Sequence, residues 1–550
     1  MAKIPMTPVD AAWLHMEEPT NLMMVSGIMT FDRPVNMDHL LAILQHRFLK
    51  YRRFRQRVVE STLPLGMPQW EDDTSFDLNA HVHRVALPEP GGREALQAMV
   101  SDLMSTPLDF SKPLWQFHVV ENYEGGSAVI TRLHHCLADG IALMQVLLAL
   151  TDLSPNAPWP KPKARKQKRP SSLLDRAYNR LVKPAAAAFT TARNLTEKLV
   201  QEGSEVITNP DHLRELAQQG GDAAFAAGRL MLLPPDPKTM FKGKLGVSKK
   251  AVWSRPLPLQ DVKAIKNHTG TTVNDVLVSA LAGGLRHYLV QHNQPVEGLN
   301  FRAFVPVNIR PSNEIDELGN KFGLVLLSLP IYLDDPLERL QEVQRRMDAL
   351  KNTPEAVVAF GILGAMGLTP VDVQKVIVQL FGMKATAVMT NVPGPPIPLY
   401  LAGAKMKDIM FWVPQSGHVG LGTSILSYAG NVYLGIVTDK GLIPDPEQII
   451  EGFYHEYEQL MALVQQTEQP QPAPTPADDL TRIKGIGPKT AVLLQSHGIT
   501  TFAQLAAANE NDLRALLADG NGRFRLINPS DWPARQSQTL KQLEIRAKEH

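Results

Sequence analysis

The chain has 550 residues, 44% of them hydrophobic and 20% charged, which excludes both a single small binding module and wholesale disorder. With 56 basic and 55 acidic residues the formal net charge is +1, so the chain as a whole has no field that would hold nucleic acid or an anionic membrane, and any such contact is local. A single cysteine, Cys136, excludes an intrachain disulfide framework and a cysteine-only zinc site, and it fits a reducing cytoplasm.

The first residues, MAKIPMTPVDAAW, lack the continuous apolar core of a signal peptide, and no run reaches the roughly 18 to 20 apolar residues that span a bilayer. A soluble or peripheral protein is expected. Alternation predicts strands over MVSGIMTFD (24–32), WQFHVVENY (115–123) and SAVITRLHH (127–135), while a helical period predicts helices over 37–51 and 140–153. These form an N-terminal lobe over residues 1–157. Next comes PWPKPKARKQKRP (158–170), with six basic residues and no acid, read either as a solvated linker or as a contact for anionic lipid headgroups. The Ala-rich text after it reads as an interfacial amphipathic helix interrupted at Pro184 or as helices packed on the body, and the whole crossover is placed at 158–240.

A second lobe is expected over 241–464. It has strands in AVWSRPLP (251–258), FRAFVPVN (301–308), NKFGLVLLSLPIYL (320–333), ATAVMTNV (385–392) and NVYLGIVTD (431–439), a helix over 273–292 and a final helix over 447–464. No Gly-rich phosphate loop opens any of these helices, which disfavours nucleotide-fingerprint enzymes and points to two α/β lobes of similar make rather than a doubly wound parallel sheet. QQTEQPQPAPTPADD is too poor in large apolar residues to order itself, so a disordered linker is placed at 465–478 and a separate domain at 479–550.

The segment SAVITRLHHCLADGIALMQVLL reads as chemistry. His134 and His135 end a strand, and adjacent strand residues point to opposite faces, so the two imidazoles do not share a metal; one faces a cavity and the other the scaffold. No metal site is expected. An imidazole that titrates near pH 6.5 suits removal of a proton from an alcohol. Asp139, across a turn, has two readings: it orients the ring directly, or it locks the loop by pairing with an arginine elsewhere. Cys136 reads as a small buried hydrophobe, with a Cys/His nucleophile pair as the rival.

HHCLADG matches the HHxxxDG signature of CoA-dependent acyltransferases, a superfamily that includes chloramphenicol acetyltransferase-like enzymes, plant acyltransferases and peptide-synthetase condensation domains. The surrounding text is narrower. MTPVDAAWLHMEEPTNLMMVSGIMTF, KPLWQFHVVENYEGGSAVITRLHH, TVNDVLVSALAGGLRHYL, VPVNIRP with LGNKFG, and TNVPGPPIPLYLAGAKM together resemble the bacterial wax ester synthase/diacylglycerol acyltransferase family over about residues 4–465. The resemblance implies a two-lobed, chloramphenicol acetyltransferase-like α/β fold and transfer of a fatty acyl group from acyl-CoA, a substrate rather than a resident cofactor, to diacylglycerol or a long-chain alcohol. It also implies that His135 is the general base, that His134, Asp139 and Gly140 build the loop, and that Arg310 is the partner of Asp139. Asn274 carries two expectations, a place in the first turn of a helix capped by Thr272 and Asp275, and, from the resemblance, donation to the developing oxyanion. Pro113, Leu114 and Trp115, and the turn from Thr390 to Pro395, are expected to be structural. Gly319 and Asn320 are expected to form a turn before an apolar strand.

From Asp479 the text resembles a helix-hairpin-helix domain. Gly485, Ile486 and Gly487 form its tight hairpin, Pro488 opens the next helix, and the amides there, with Lys489, are a candidate phosphate or partner contact. The basic face that nucleic-acid binding needs is weak, so a protein-contact or structural appendage is the leading expectation for the tail. The reading as a whole is a cytoplasmic lipid O-acyltransferase that visits membrane or lipid-inclusion surfaces. Its rivals are an enzyme of the same fold with another acceptor, and a binding or scaffold protein with a nucleic-acid-contacting tail.

Overall fold

The computed structural model describes residues 3–61, 66–160, 230, 232–310, 318–351, 353, 355–468, 477–519, 528–530 and 532. The basic run from Lys161 onward and the Ala-rich text after it lie outside these residues. The chain divides into two compact units, Met1–Val464 and Gln465–His550.

The first unit is built on two large sheets. In the first, the hairpin Trp115–Tyr123/Gly126–His134 is flanked by Val82–Val85 on one side and by Met24–Phe31 on the other, and Met24–Phe31 pairs in turn with Ala404–Trp412. The second sheet runs Phe322–Leu329, Phe301–Asn308, Ala387–Pro393, Leu421–Tyr428, Asn431–Asp439 and Lys249–Trp253. A small three-stranded sheet joins Ile4–Pro5 to Gln69–Asp72 and Gln56–Val59.

Dividing the lobes by sequence at 241 needs one correction, because Tyr400–Leu401 and Ala404–Trp412, from the expected second lobe, complete the sheet of the first. The physical reason lies in what this strand buries. Its Trp412 is fully enclosed and packs edge-on against Trp253 at 5.6 Å, so the strand is covered on the side of the second sheet as well as hydrogen-bonded in the first. Asp408 makes the same link with polar atoms, accepting from Thr30 Oγ1 at 2.9 Å in the first sheet and from Tyr433 Oη at 3.0 Å in the second. One buried core therefore runs through both halves of the chain, taking Trp253, Tyr428 and Tyr433 along with the first sheet. Fully burying one large apolar side chain is worth about 1.5–3 kcal/mol, so this shared core holds the halves as one body.

Local signals shape the elements around the cleft between the sheets. Thr7 caps the helix Pro8–His15, accepting from Asp10 N–H, and Pro8 occupies its first turn, where no N–H is needed. This helix seats on the end of Glu355–Met366 because Gly367 has no side chain: a Cβ there would lie 1.8 Å from the carbonyl oxygen of Pro8. Thr272 and Asp275 form the expected capping box at the start of Val273–Gln291. The helix expected over 37–51 is shorter, Met37–Ile43, and continues as a π turn over Leu44–Phe48. The helix Glu447–Glu468 runs four residues into the expected linker.

Among the described residues the second unit carries a 3-10 turn at Leu480–Arg482 and helices Pro488–Ser496, Phe502–Ala507 and Glu510–Asp519 around Leu494, Leu505, Leu513 and Trp532. Gly485 sits at φ 104°, a backbone conformation other residues avoid, and Gly487 caps the Pro488 helix. Lys489 is exposed in the first turn of that helix.

Candidate active site

The strand Gly126–His134 ends at His134, which pairs with Met24, and the chain then turns through Cys136 to Asp139 into the helix Gly140–Leu150. As the alternation of a strand requires, the two histidines part company. His134 turns into the scaffold. Its Nδ1 accepts from Cys136 N–H at 3.1 Å, and its Nε2 stands 3.0 Å from a carboxylate oxygen of Glu17 that also accepts from Met23 N–H. Both ring nitrogens are thereby spent on structure.

His135 forms part of the wall of a cleft of about 270 Å³ between the two sheets, shared with Gly140, Phe304, Thr390, Asn391 and Phe411. Its ring stacks on Trp13, with centroids 4.1 Å apart and 19° between planes, and Phe322 tilts against it at 5.5 Å. Burial among these rings pushes its pKa down to about 4, while the charge of Asp139 and the amide of Asn320 act in the opposite direction. The imidazole is neutral at pH 7 and able to take a proton. Cys136 is fully buried in the core, and burial drives its thiol well up, so it is not the nucleophile of a Cys/His pair.

Asp139 locks the loop. One oxygen caps the motif helix, accepting from Ala142 N–H at 2.9 Å; the other accepts from Arg310 Nη2 at 2.6 Å and from Lys321 N–H at 2.9 Å. Arg310 also donates to Gly319 O at 2.8 Å, and its side chain is wholly enclosed. The two readings left open for Asp139 are thus separated: its oxygens hold backbone and arginine, and it acts on His135 through space. Gly319, at φ 120°, Asn320 and Lys321 form the turn expected before the apolar strand, and this turn fastens onto the motif loop from the second half of the chain.

Asn274 lies in the first turn of its helix, where its Oδ1 accepts from Asn391 Nδ2 at 2.6 Å. Of these two residues, it is Asn391 that lines the cleft. Trp115, from the PLW segment, is structural, its indole N–H donating to Phe54 O at 2.9 Å in the core. Sequence reasoning did not single out Asp10, Trp13 or Phe322. Their signal was present only as spacing: Asp10 and Trp13 stand three apart in a short capped helix and so share a face.

Two apolar pockets open from the cleft. One shares Trp13, Phe304 and Leu324 with it and runs under Glu355–Met366 and Val371–Gly382 to Ile362, Ile377 and Phe381. The other shares Gly140, Val392 and Phe411 and runs between the motif helix and the first sheet to Met144, Leu147 and Phe48. The site is therefore a neutral imidazole in a cleft that borders two greasy spaces.

Comparison with known proteins agrees with this geometry. Residues 6–277 match the wax ester synthase/diacylglycerol acyltransferase catalytic domain, 318–461 match the WS/DGAT C-terminal domain, and 480–541 match the RS2/RL21/YNQ2 HHH domain. The probable diacylglycerol O-acyltransferase tgs1 of Mycobacterium tuberculosis is 27% identical over 83% of this chain and 96% of its own length, and tgs2 of the same organism is 29% identical over 81% and 96%. Among solved structures, the wax ester synthase/diacylglycerol acyltransferase from Marinobacter aquaeolei VT8 superposes with a TM-score of 0.59 at 23% identity, over 84% of this chain and 100% of that one. The first condensation domain of the calcium-dependent antibiotic synthetase superposes at 0.53 with 12% identity, over 84% and 96%, and shares the fold.

Proposed function

The chain belongs to the wax ester synthase/diacylglycerol acyltransferase family, and from that premise we propose that His135 is the base of an acyl-CoA-dependent O-acyltransferase making triacylglycerol or wax ester. The observation that carries the reading is the position of His135, neutral and walled by Trp13 and Phe322, in the cleft that borders both apolar pockets. His135 takes the proton of the acceptor hydroxyl as its oxygen attacks the thioester carbonyl. The C–S bond breaks, CoA leaves as a thiolate, and the imidazolium returns the proton to it, so ester and free CoA form and the base is restored with no acyl-enzyme. Excluding water protects the thioester from hydrolysis, which the aromatic walls do.

Two pockets suit two hydrocarbon chains, one from the donor and one from the acceptor. No helix among the described residues is long and apolar enough to cross a membrane. A peripheral lipid contact is supported by Val371 and Val376, exposed on the helix Val371–Gly382 that also lines the first pocket, and by Leu368, exposed just before that helix. The test is an initial-rate assay of CoA release with palmitoyl-CoA and either hexadecanol or diacylglycerol. Ester from one or both ranks the acceptors; no ester from either overturns the reading.

A further inference from the structure

Asp139 is fully engaged with Arg310, Ala142 and Lys321, so the imidazole of His135 has to be held by something else. Stacking on Trp13 fixes the plane of the ring but leaves open which nitrogen carries the proton. A general base needs that choice made, because only the unprotonated nitrogen does the work.

The surroundings of Asn320 make it. This side chain, 5% exposed, donates from Nδ2 to Asp10 Oδ1 at 2.8 Å and to the backbone oxygen of His135 at 2.9 Å. Both partners are acceptors, so the amide cannot be turned the other way round, and its oxygen has to point away from Asp10. Asp10 is itself held: it is fully buried, its second oxygen pairs with Arg53 at 3.3 Å, and that guanidinium lies over the ring of Trp70. Asn320 Oδ1 and His135 Nδ1 are both buried, and neither makes a full hydrogen bond in this structure; the Asn320 amide and the backbone of His135 itself are the two groups that bear on the ring as hydrogen-bond partners. An amide oxygen accepts and never donates, so an imidazole N–H beside it suits it.

We propose that Asp10 and Asn320 form a positioning relay: Asp10 orients the amide, Asn320 Oδ1 takes the hydrogen bond from His135 Nδ1–H, and Nε2 is left unprotonated toward the cleft. The proposal rests on the reading of His135 as the base. Asp10 and Asn320 touch no substrate, and they act through the imidazole alone. The helix Pro8–His15 thus grips the base twice, with Trp13 on its face and with Asp10 behind it through Asn320.

The test uses the full chain and three variants, Asn320→Ala, Asp10→Ala and the double variant. Tautomer control of a catalytic imidazole is worth up to about 10⁴ in rate elsewhere. Here each single change is expected to lower kcat by roughly 10- to 100-fold, with KM for both substrates within about threefold, since only the base is disturbed. The double variant is expected to be no slower than Asn320→Ala, because Asp10 acts only through Asn320. Effects that multiply, or that raise KM as much as they lower kcat, overturn the relay. Should either alanine variant not fold, ring-nitrogen NMR of the chain labelled at histidine, with His135→Ala to assign the signal, decides directly: a proton on Nδ1 whose signal shifts in the near-isosteric Asn320→Asp supports the relay, and a proton on Nε2, or one on Nδ1 that this substitution leaves unmoved, overturns it. Absence of any acyl transfer by the wild-type chain is a different result, the failure of the enzymatic reading, and the NMR measurement does not depend on it.

Discussion

The two histidines at the end of the motif strand have the same side chain and opposite surroundings. The surroundings of His134 are scaffold: Glu17 at one nitrogen, a backbone N–H on the other, and the ring of Phe110 edge-on at 5.7 Å. The pocket of His135 is aromatic on two sides and open on a third, with one nitrogen sealed away from solvent. Chemistry therefore comes from what surrounds an imidazole, and the motif only delivers two of them to one place. The sharpest way to break this comparison is to remove each ring in turn. His135→Ala is expected to lower kcat by at least about 10²- to 10⁴-fold, the usual worth of a general base, with the thermal transition little moved. Residual activity within tenfold of wild type in a folded His135→Ala protein would refute its role.

The next largest effect belongs to the loop that holds both rings. Asp139→Ala leaves Arg310 enclosed with its main charge partner gone, and breaking a buried pair in this way costs about 3–5 kcal/mol. Chemical denaturation is expected to show that loss, with Asp139→Ala/Arg310→Met recovering part of it. A loss below about 1 kcal/mol would mean that the pair is not what closes the loop.

How much of this was legible in the sequence follows from the reach of each signal. His134, His135, Asp139 and Gly140 were readable because a strand end, a turn and a helix cap sit within seven consecutive residues. The capping box at Thr272 and the hairpin glycines of the tail were readable for the same reason, since a local backbone need dictates the residue. Asp10, Trp13 and Asn320 were not. Their roles exist only when the first helix, the motif loop and the turn at Gly319 meet, and the Asn320–Asp10 hydrogen bond joins residues 310 apart in sequence. The strand Ala404–Trp412 was invisible as a member of the first sheet, because its pattern shows that it is buried and does not show against which sheet. Arg310 was found as the partner of Asp139 through the family resemblance, and no local spacing singles it out.

A pH series sharpens the contrast further. Burial lowers the folded-state value of His135 from 6.5 to about 4, so kcat/KM is expected to climb through pH about 4 and to be level above about pH 5. An acid limb near 6.5 would mean that the ring is wet. The same burial has a sign for stability. The unfolded chain takes up the proton first as pH falls, so stability is expected to decline as pH drops from 6.5 toward 4, by up to about 1.4 kcal/mol per unit for each such ring. His118, buried in the strand Trp115–Tyr123 of the first sheet and also lowered to about 4 by burial, adds to that decline. By contrast His134→Ala is expected to cost about 1–3 kcal/mol of stability, because the buried Cys136 N–H loses its acceptor, and to keep kcat within about threefold for the protein that folds.

The smallest effect tests the greasy side of the comparison, the pocket between the motif helix and the first sheet. Met144 lines this pocket beyond Gly140, where the pocket joins the cleft, and tryptophan in its place fills space that a chain end would use. Each methylene denied burial costs about 0.8 kcal/mol, so excluding two of them lowers kcat/KM for the longest chains about tenfold while shorter chains are untouched. Two series separate the substrates: acyl-CoA donors from eight to eighteen carbons with hexadecanol held constant, and alcohols over the same range with palmitoyl-CoA held constant, the lengths spanning roughly the site sizes of ligand pockets. Met144→Trp is expected to shorten the optimum in one series and leave the other in place, which identifies the substrate whose chain enters beneath the motif helix. The pocket under Val371–Gly382 then takes the other chain, and Ile377→Trp is expected to act on the complementary series. If neither profile moves, both spaces are core packing and the chains lie along the open cleft beside Asn391 and Phe411. In that case His135 would owe its neutrality to Trp13 and Phe322 alone, with no help from bound hydrocarbon.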